Sequence, residues 1–230
     1  GPVTGGRFTR RFSAFRGRSF IDPPGPDRDS PAVGRCDRDN QERGTGTGSA
    51  PVIAEVAKKY GAQVPFMRPA ELAEDITPTL PVLQHAVTWV KENEEYEPDY
   101  VLLLEPTSPS KRPFHIKGVV KMLIQSGADS VISVAEVPGV FSPYWQIKVT
   151  DGGRTELFTG EPFKKVIRRR QELPKTYYRN SSIYAFKPEL LFTEDPSFYG
   201  EDVRAYVTDS KYAFDIDTPE DWEVAELHFK

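Results

Sequence analysis

Apolar residues follow two patterns from residue 51 onward, a helical spacing in some stretches and short continuous runs in others. The helical spacing predicts helices near residues 79–93 and 116–124. Two further helices are predicted, one at residues 52–61 that ends at a glycine cap and one at 219–228 that closes the chain. The continuous runs predict buried strands at residues 99–104 and 130–134. A strand at 182–186 is expected to return to the core, and a last strand is expected near 204–207. Because strands and helices alternate, the pattern predicts an α/β fold with a mostly parallel sheet.

Residues 138–178 interrupt this alternation. They are rich in proline and glycine, and they contain short alternating stretches such as YWQIKV at residues 144–149. We predict that they form an inserted antiparallel arm. Aromatic residues exposed on such an arm favour a contact between two copies of the chain.

The first fifty residues differ in composition from the rest. They contain nine Arg and nine of the 17 Gly, but no Lys, Leu, Tyr or Trp. A segment so poor in large aliphatic residues buries little core surface, which predicts a disordered arm ahead of a domain that begins at residue 51. A second hypothesis is an out-of-frame translation. The possible codons of residues 33–46, read one base later, permit SVDAIVTTKNEEL, a strand, turn and helix start.

Charge and composition exclude several classes of protein. The net charge of -4 argues against a nucleic-acid partner. No stretch approaches the roughly 18 apolar residues that span a membrane, and no secretory signal is visible. The single cysteine, Cys36, excludes an internal disulfide framework and a cysteine-rich metal site. These features favour a cytoplasmic protein.

The clearest candidate chemistry is the pair Asp215 and Asp217. Carboxylates at positions i and i+2 of an extended segment point to the same side. Two hard oxygen ligands suit Mg²⁺, which also takes water and phosphate oxygens. Thr218, Pro219 and Asp221 then have the pattern of a helix start, which would fix the direction of the two carboxylates. The alternative is a pair of solvated carboxylates before a helix.

Six stretches of the chain resemble the acylneuraminate cytidylyltransferases, the CMP-sialic acid synthetases. In chain order they are IAEVAKKYGA at residues 53–62, VPFMRPAELA at 64–73, LEPTSP at 104–109, RQELP at 170–174, NSSIYAF at 180–186 and FDIDTPED at 214–221. The resemblance covers residues 51–230. It implies a Rossmann-like nucleotidyltransferase fold, CTP and a nonulosonic acid as substrates, Mg²⁺ and a homodimer.

One family signature is missing. Members open with a Lys-containing phosphate loop of the approximate pattern RGGSKxxPxKN. Here TGGRFTRR at residues 4–11 occupies that region without either Lys or the Asn, whereas FRGRSFI at residues 15–21 resembles the segment that follows the loop. This mixture favours reading-frame errors over a natural arm. It also leaves open a catalytically impaired binding protein of the same fold.

The resemblance implies roles for individual residues. Asp215 and Asp217 would hold the metal, with Asp215 the more direct ligand, and one of them would help to deprotonate the attacking sugar hydroxyl. The residues implied on the nucleotide side are Arg68, Thr79, Glu105 and Thr107. Helix capping could by itself explain Thr79, and turn capping could explain Thr107 and its neighbour Ser108. Glu105 stands where members usually have a Gln that contacts cytosine, and an ionised Glu lacks the donor of that amide.

On the sugar side, the resemblance implies binding by Arg170, Arg179, Lys148 and Asn180. Arginine offers a bidentate contact to the sugar's carboxylate. A second family arginine would fall at Tyr178, so Arg179, one residue on, is expected to replace it. A solvated basic run is the alternative for Arg170. The stretches at residues 170–174 and 180–186 favour a nine-carbon sugar over Kdo, but they do not choose among sialic, legionaminic and pseudaminic acids.

Overall fold

The computed structural model describes residues 12–16, 19–20, 49–60, 62–74, 76–95 and 97–228. Within these ranges four α-helices form: α1 (Ser49–Lys59), α2 (Thr79–Glu94), α3 (Pro113–Ser126) and α4 (Pro219–His228). All four were predicted from the sequence. None of the helices in these ranges combines the length and apolar character needed to cross a membrane.

A six-stranded sheet forms the centre of the described structure. Its strands are β1 (Phe12–Arg16), β2 (Ser19–Phe20), β3 (Tyr100–Leu104), β4 (Ser130–Glu136), β7 (Tyr177–Phe186) and β8 (Val203–Thr208). Their order across the sheet is β2-β1-β3-β7-β4-β8. β1, β3, β4 and β8 run in one direction, and β2 and β7 run in the other. The predicted mostly parallel sheet is confirmed.

The order of the strands differs in one respect from a simple βαβ unit. β3 and β4 are parallel and are joined by α3, but β7 lies between them and is antiparallel to both. β7 also begins at Tyr177, inside the range predicted for the arm. An apolar run indicates that a strand is buried, but it carries no information about strand direction, so the sequence pattern could not predict this insertion.

The core lies on both faces of the sheet. On one face, Val101 and Leu103 of β3 pack in a cluster with Leu83 and Val87 of α2. On the other face, Leu102 and Leu104 of β3 pack in a second cluster with Val119 and Leu123 of α3. β3 is therefore apolar at every position because helices cover both of its sides.

A separate two-stranded sheet lies within the predicted arm. β5 (Ile147–Val149) pairs antiparallel with β6 (Thr155–Leu157), as expected for this segment. The arm exposes large apolar side chains, namely Val140, Phe141, Ile147, Val149, Phe158 and Phe163. The contact between two copies of the chain stays a prediction.

The first fifty residues contribute β1 and β2 to the main sheet, where β1 lies parallel to β3. The segments that carry the missing phosphate loop and the codon argument, residues 4–11 and 33–46, lie outside the described residues. The disordered arm and the out-of-frame segment therefore stay predictions.

A buried polar network holds an irregular junction between β4 and β7. Ile132 pairs with Tyr184 and Val134 with Arg179, so four residues of β7 face the single residue Ser133 of β4. The Ser133 hydroxyl donates to Asn180 Oδ1 at 2.6 Å and accepts from the backbone N–H of Ile183 at 2.9 Å. The side chain of Ser133 thus replaces the ladder hydrogen bonds that the bulge interrupts.

Thr208 of β8 completes this network. Its hydroxyl accepts from Asn180 Nδ2 at 2.9 Å and donates to the carbonyl of Val134 at 3.0 Å. Asn180 is 7% exposed and Thr208 is 5% exposed, so water cannot easily replace these bonds. The network therefore ties β4, β7 and β8 together at the bulge.

Thr208→Val is expected to lower the free energy of unfolding by about 1–3 kcal/mol, because it removes the buried hydrogen bonds that the Thr208 hydroxyl makes with the Asn180 amide and the Val134 carbonyl. Urea unfolding measures the effect. Thr88→Val, at an exposed position of α2, is the matched control and should change stability little. Equal effects of the two substitutions would contradict a role for the network.

Candidate functional site

The candidate site begins at the loop that follows β3, residues 105–110. This loop lies at the carboxyl end of a central strand, the usual position of ligand sites in α/β sheets. Lys111 folds back over the loop, and its Nζ donates to the carbonyl oxygens of Glu105 and Ser108. Ser110 Oγ donates to the carbonyl of Tyr212 at 2.6 Å. The loop is thus held at both ends.

The segment that carries the aspartate pair is bound to this loop by two hydrogen bonds. The backbone N–H of Ile216 donates to the carbonyl of Thr107 at 2.8 Å. Ser108 Oγ donates to Asp215 Oδ1 at 3.2 Å, and Ser108 is 1% exposed. Asp215 is half-buried and lies beside the end of β3. These contacts attach Asp215 to the loop at the carboxyl end of β3.

Asp217 lies at the start of α4, and its side chain is exposed. Asp221 Oδ2 accepts from the backbone N–H groups of Asp217 and Thr218, at 3.1 and 2.8 Å. Thr218 Oγ1 in turn accepts from the N–H of Asp221 at 3.2 Å. This reciprocal cap was predicted from Thr218, Pro219 and Asp221, and it is confirmed. It fixes the backbone directly after the aspartate pair.

The donor set fits a magnesium site completed by substrate. Within the described ranges, no group of three or more His, Cys, Asp or Glu side chains is arranged to hold a metal. Mg²⁺ is often bound through only one or two carboxylates, with water and substrate phosphates as the other ligands. Asp215 and Asp217 meet that requirement, and one Asp215 oxygen is already oriented by Ser108.

Glu105 gives this site an unusual electrostatic character. Burial raises the pKa of its carboxyl, Lys111 opposes the rise, and the negative charge of Asp215 adds to it. The side chain is therefore close to both the metal-binding candidate and the lysine. The raised pKa means that the folded chain favours the protonated carboxyl, the form that can donate a hydrogen bond, more than it would for an ordinary glutamate.

Two of the remaining nucleotide-side candidates, Arg68 and Thr79, lie before β3, and the third, Thr107, lies in the loop after it. Arg68 is half-buried between α1 and α2 along the chain, and Thr79 is the exposed first residue of α2. The N-cap of α2 is Pro78 and no side chain caps it, so the capping explanation for Thr79 is wrong. For Thr107, the observed contact is through its carbonyl to Ile216. Nucleotide binding by these residues stays a prediction.

The four sugar-side candidates fall in different places. Arg170 lies over Gly139, where an added Cβ would be 2.8 Å from the Arg170 Nε. Lys148 is on β5, with its Nζ 5.2 Å from the centroid of the Phe158 ring. Asn180 belongs to the buried network between β4, β7 and β8. These contacts give Asn180 a structural role, and sugar binding by all three stays a prediction.

Arg179 is the sugar-side candidate linked to Glu105. It lies on the exposed part of β7 and donates to the hydroxyl oxygen of Tyr199. Burial raises the pKa of the neighbouring Tyr184, and a hydrogen bond with Ser181 opposes that rise. The charges of Tyr199 and Glu105 raise this pKa further, whereas the positive charge of Arg179 lowers it. Tyr184 is thus within electrostatic range of both Arg179 and Glu105. The sheet connects the two candidate regions through this tyrosine.

Sequence reasoning missed three residues of this region. Lys111 follows the predicted loop, and a lysine so close to the end of a strand could have indicated a contact with the carbonyl oxygens of that loop. For Ser108, turn capping was the expected explanation, whereas the structure places its hydroxyl on Asp215. Tyr199 is in an irregular segment with no periodic pattern, so nothing in the sequence indicated its contact with Arg179.

The fold corresponds to that of a solved nucleotidyltransferase. A structure described as CMP:2-keto-3-deoxy-manno-octonic acid synthetase complexed with CTP aligns with a TM-score of 0.50 and 14% sequence identity. The alignment covers 77% of this chain and 76% of that chain. The class defined by the fold is therefore the α/β proteins with a mostly parallel sheet, as predicted, and the chain shares the architecture of that solved structure.

Sequence comparison defines the family within that class. CMP-N,N'-diacetyllegionaminic acid synthase of Legionella pneumophila is 33% identical over 175 residues, covering 76% of this chain and 72% of that protein. N-acylneuraminate cytidylyltransferase of Streptococcus agalactiae is 28% identical over 171 residues, covering 73% and 38%. No family model matches the chain. The chain belongs to the acylneuraminate cytidylyltransferase family, which includes the CMP-legionaminic acid synthases.

Glu105→Gln is expected to stabilise the fold in a pH-dependent way. The folded state holds the Glu105 proton more tightly than the unfolded chain does, because the pKa is raised above its ordinary value of 4.5. The contribution of Glu105 to stability is therefore complete below that value and is lost as the pH rises through the folded-state pKa. The amide variant should be more stable than the parent chain at pH 7, with a gain that shrinks toward pH 4.5.

Urea unfolding in EDTA at several pH values measures this difference. Glu156→Gln, at an exposed position of β6, is the matched control for the chemical change. A gain that stays constant with pH, or that grows as the pH falls, would contradict the assigned electrostatics of Glu105.

Proposed function

We propose that the chain transfers CMP from CTP to the anomeric hydroxyl of a nonulosonic acid, a sialic-type nine-carbon acidic sugar, and releases pyrophosphate. Membership of the cytidylyltransferase family supports the reaction class. The contact between Ser108 and Asp215 carries the proposal, because a half-buried carboxylate lies beside the loop at the carboxyl end of β3. That is the position at which a nucleotide would meet the sheet.

Asp215 and Asp217 are the proposed ligands of Mg²⁺. The ion, when bound there, would neutralise charge that develops on the phosphate oxygens. Asp215 is the more direct ligand in this proposal, because Ser108 orients one of its oxygens and leaves the other to bind. The sugar hydroxyl attacks the α-phosphorus in line, and one of the two carboxylates accepts its proton. The bond from that phosphorus to pyrophosphate breaks.

The proposed substrate contacts follow from the positions of the side chains. Arg68, Thr79, Glu105 and Thr107 are proposed for CTP, and Arg170, Arg179, Lys148 and Asn180 for the sugar. Arg179 has the strongest support among the sugar residues, because its exposed guanidinium lies near Tyr184, which is itself near Glu105. Asn180 has the weakest, since buried hydrogen bonds occupy both ends of its amide.

The chain is proposed to act as a homodimer in the cytoplasm, where CTP is available. The apolar side chains exposed on the arm, residues 138–178, support a contact between copies because water solvates such a patch poorly. A catalytically impaired binding protein of the same fold is the second candidate. The absence of both phosphate-loop lysines from residues 4–11 favours it.

Asp215→Asn is expected to lower kcat for pyrophosphate release at least about 10²-fold in the presence of Mg²⁺, because the charge that holds the metal is lost. The fold should be retained, as measured by circular dichroism. Asp202→Asn, in an exposed ion pair with Arg204, is the control and should leave kcat unchanged. Full activity of the Asp215 variant would contradict the metal assignment. A parent chain that binds CTP without turnover would favour the impaired binding protein.

The choice of sugar is expected to follow the more similar relative. That relative is a CMP-N,N'-diacetyllegionaminic acid synthase, at 33% identity against 28% for the neuraminate enzyme. We expect kcat/KM for N,N'-diacetyllegionaminic acid to exceed that for N-acetylneuraminic acid by about 10-fold or more, the discrimination of one or two pocket contacts. A pyrophosphate-release assay with these acids, pseudaminic acid and Kdo measures it. Preference for Kdo would contradict the proposed nine-carbon substrate.

A further inference from the structure

Tyr199 is the side chain that holds Arg179. An Arg179 N–H donates to the phenol oxygen, and the guanidinium carbon lies 5.9 Å from the centroid of the Tyr199 ring. A guanidinium has five N–H donors in a fixed, planar fork. One bond to the phenol therefore leaves donors for a bidentate contact with a carboxylate.

The loop that carries Tyr199 is itself anchored to β4. Ser130 Oγ donates to the carbonyl of Tyr199 at 2.5 Å. One carboxylate oxygen of Asp129 accepts from the N–H groups of Glu201 and Asp202, both at 3.1 Å, and the other accepts from Lys187 Nζ at 2.9 Å. These bonds fix the backbone at the tyrosine carbonyl and directly after it.

Gly200 permits the close approach of this loop to the sheet. Its φ is +76°, a conformation that residues with a Cβ rarely adopt, and an added Cβ would lie 2.5 Å from the Cβ of Asp129. The loop therefore follows a path that only glycine allows at this point. The fixed path of the backbone consequently limits where the Tyr199 ring can lie.

Aromatic packing connects Tyr199 to the core and to the candidate site. Its ring centroid is 4.6 Å from that of Phe198 and 6.2 Å from that of Tyr184. Tyr184 lies in β7 and pairs with Leu103 of β3. Only Leu104 separates Leu103 from the loop that begins at Glu105. The guanidinium of Arg179 is therefore held at a fixed place relative to the carboxyl end of β3.

We infer that Tyr199 is a positioning residue for the acidic sugar: its phenol and ring hold the Arg179 guanidinium in the orientation that meets the sugar's carboxylate. The inference rests on the proposed function. An exposed arginine loses up to about 2 kcal/mol of rotamer entropy when it is ordered by a ligand. Tyr199 orders it beforehand, so that the sugar binds with less loss of side-chain freedom.

The test is a double-mutant cycle between Tyr199→Phe and Arg179→Lys, with KM for N,N'-diacetyllegionaminic acid and for CTP measured separately. Tyr199→Phe is expected to raise KM for the sugar about 5- to 20-fold, as for a lost hydrogen bond to a charged group, with KM for CTP and the Tm unchanged. In the Arg179→Lys background the same substitution should have no further effect, because the oriented fork is already absent. Tyr206→Phe, whose phenol packs over Gly118 of α3, is the matched control and should change neither constant.

If the parent chain turns over the sugar, the proposed function stands, and either of two results would then overturn the inference. One is a KM for the sugar that is unchanged in Tyr199→Phe. The other is a double variant whose KM rises by the product of the two single-variant factors. A rise in both KM values together with a lower Tm would also overturn it, since that is the signature of a purely structural tyrosine. A parent chain that turns over none of the acids overturns the proposed function and this inference with it.

Discussion

The proposed metal and nucleotide site depends on the attachment of one chain segment to another. The loop after β3 and the segment at residues 214–217 are far apart in sequence, yet they are joined by the Ile216–Thr107 and Ser108–Asp215 hydrogen bonds. Without these contacts Asp215 would be an ordinary aspartate before a helix. With them, a carboxylate is held at the carboxyl end of a buried strand, and the reciprocal cap at the start of α4 keeps the backbone in place.

The sheet gives this attachment its rigidity and connects it to the sugar side. β3 is covered on both faces by helices, so the loop at its end begins from a fixed point. β7 lies between β3 and β4, and the network of Ser133, Asn180 and Thr208 holds its bulge. The same strand carries Arg179 directly before the bulge and Tyr184 directly after it. One irregular strand thus relates the two proposed halves of the substrate site.

Much of the fold could be predicted from the sequence, because apolar spacing reports burial directly. The helices, the strands of the main sheet from β3 onward, the antiparallel arm and the cap formed by Thr218 and Asp221 were predicted, whereas β1 and β2 were not. The insertion of β7 between β3 and β4 was not predicted, because the burial of a strand does not indicate its direction. Side-chain partners were harder. The bond from Ser108 to Asp215 and the contact of Tyr199 with Arg179 join residues distant in sequence, and no local pattern marks such pairs.

The most direct measurement is a crystal structure of the chain with CTP and Mn²⁺ in place of Mg²⁺, with the metal located by its anomalous signal. The account predicts a metal bonded to the Asp215 carboxylate and to a phosphate oxygen, with the nucleotide lying over the loop that follows β3. A metal and nucleotide bound elsewhere, with the Asp215 side chain directed away from them, would contradict it.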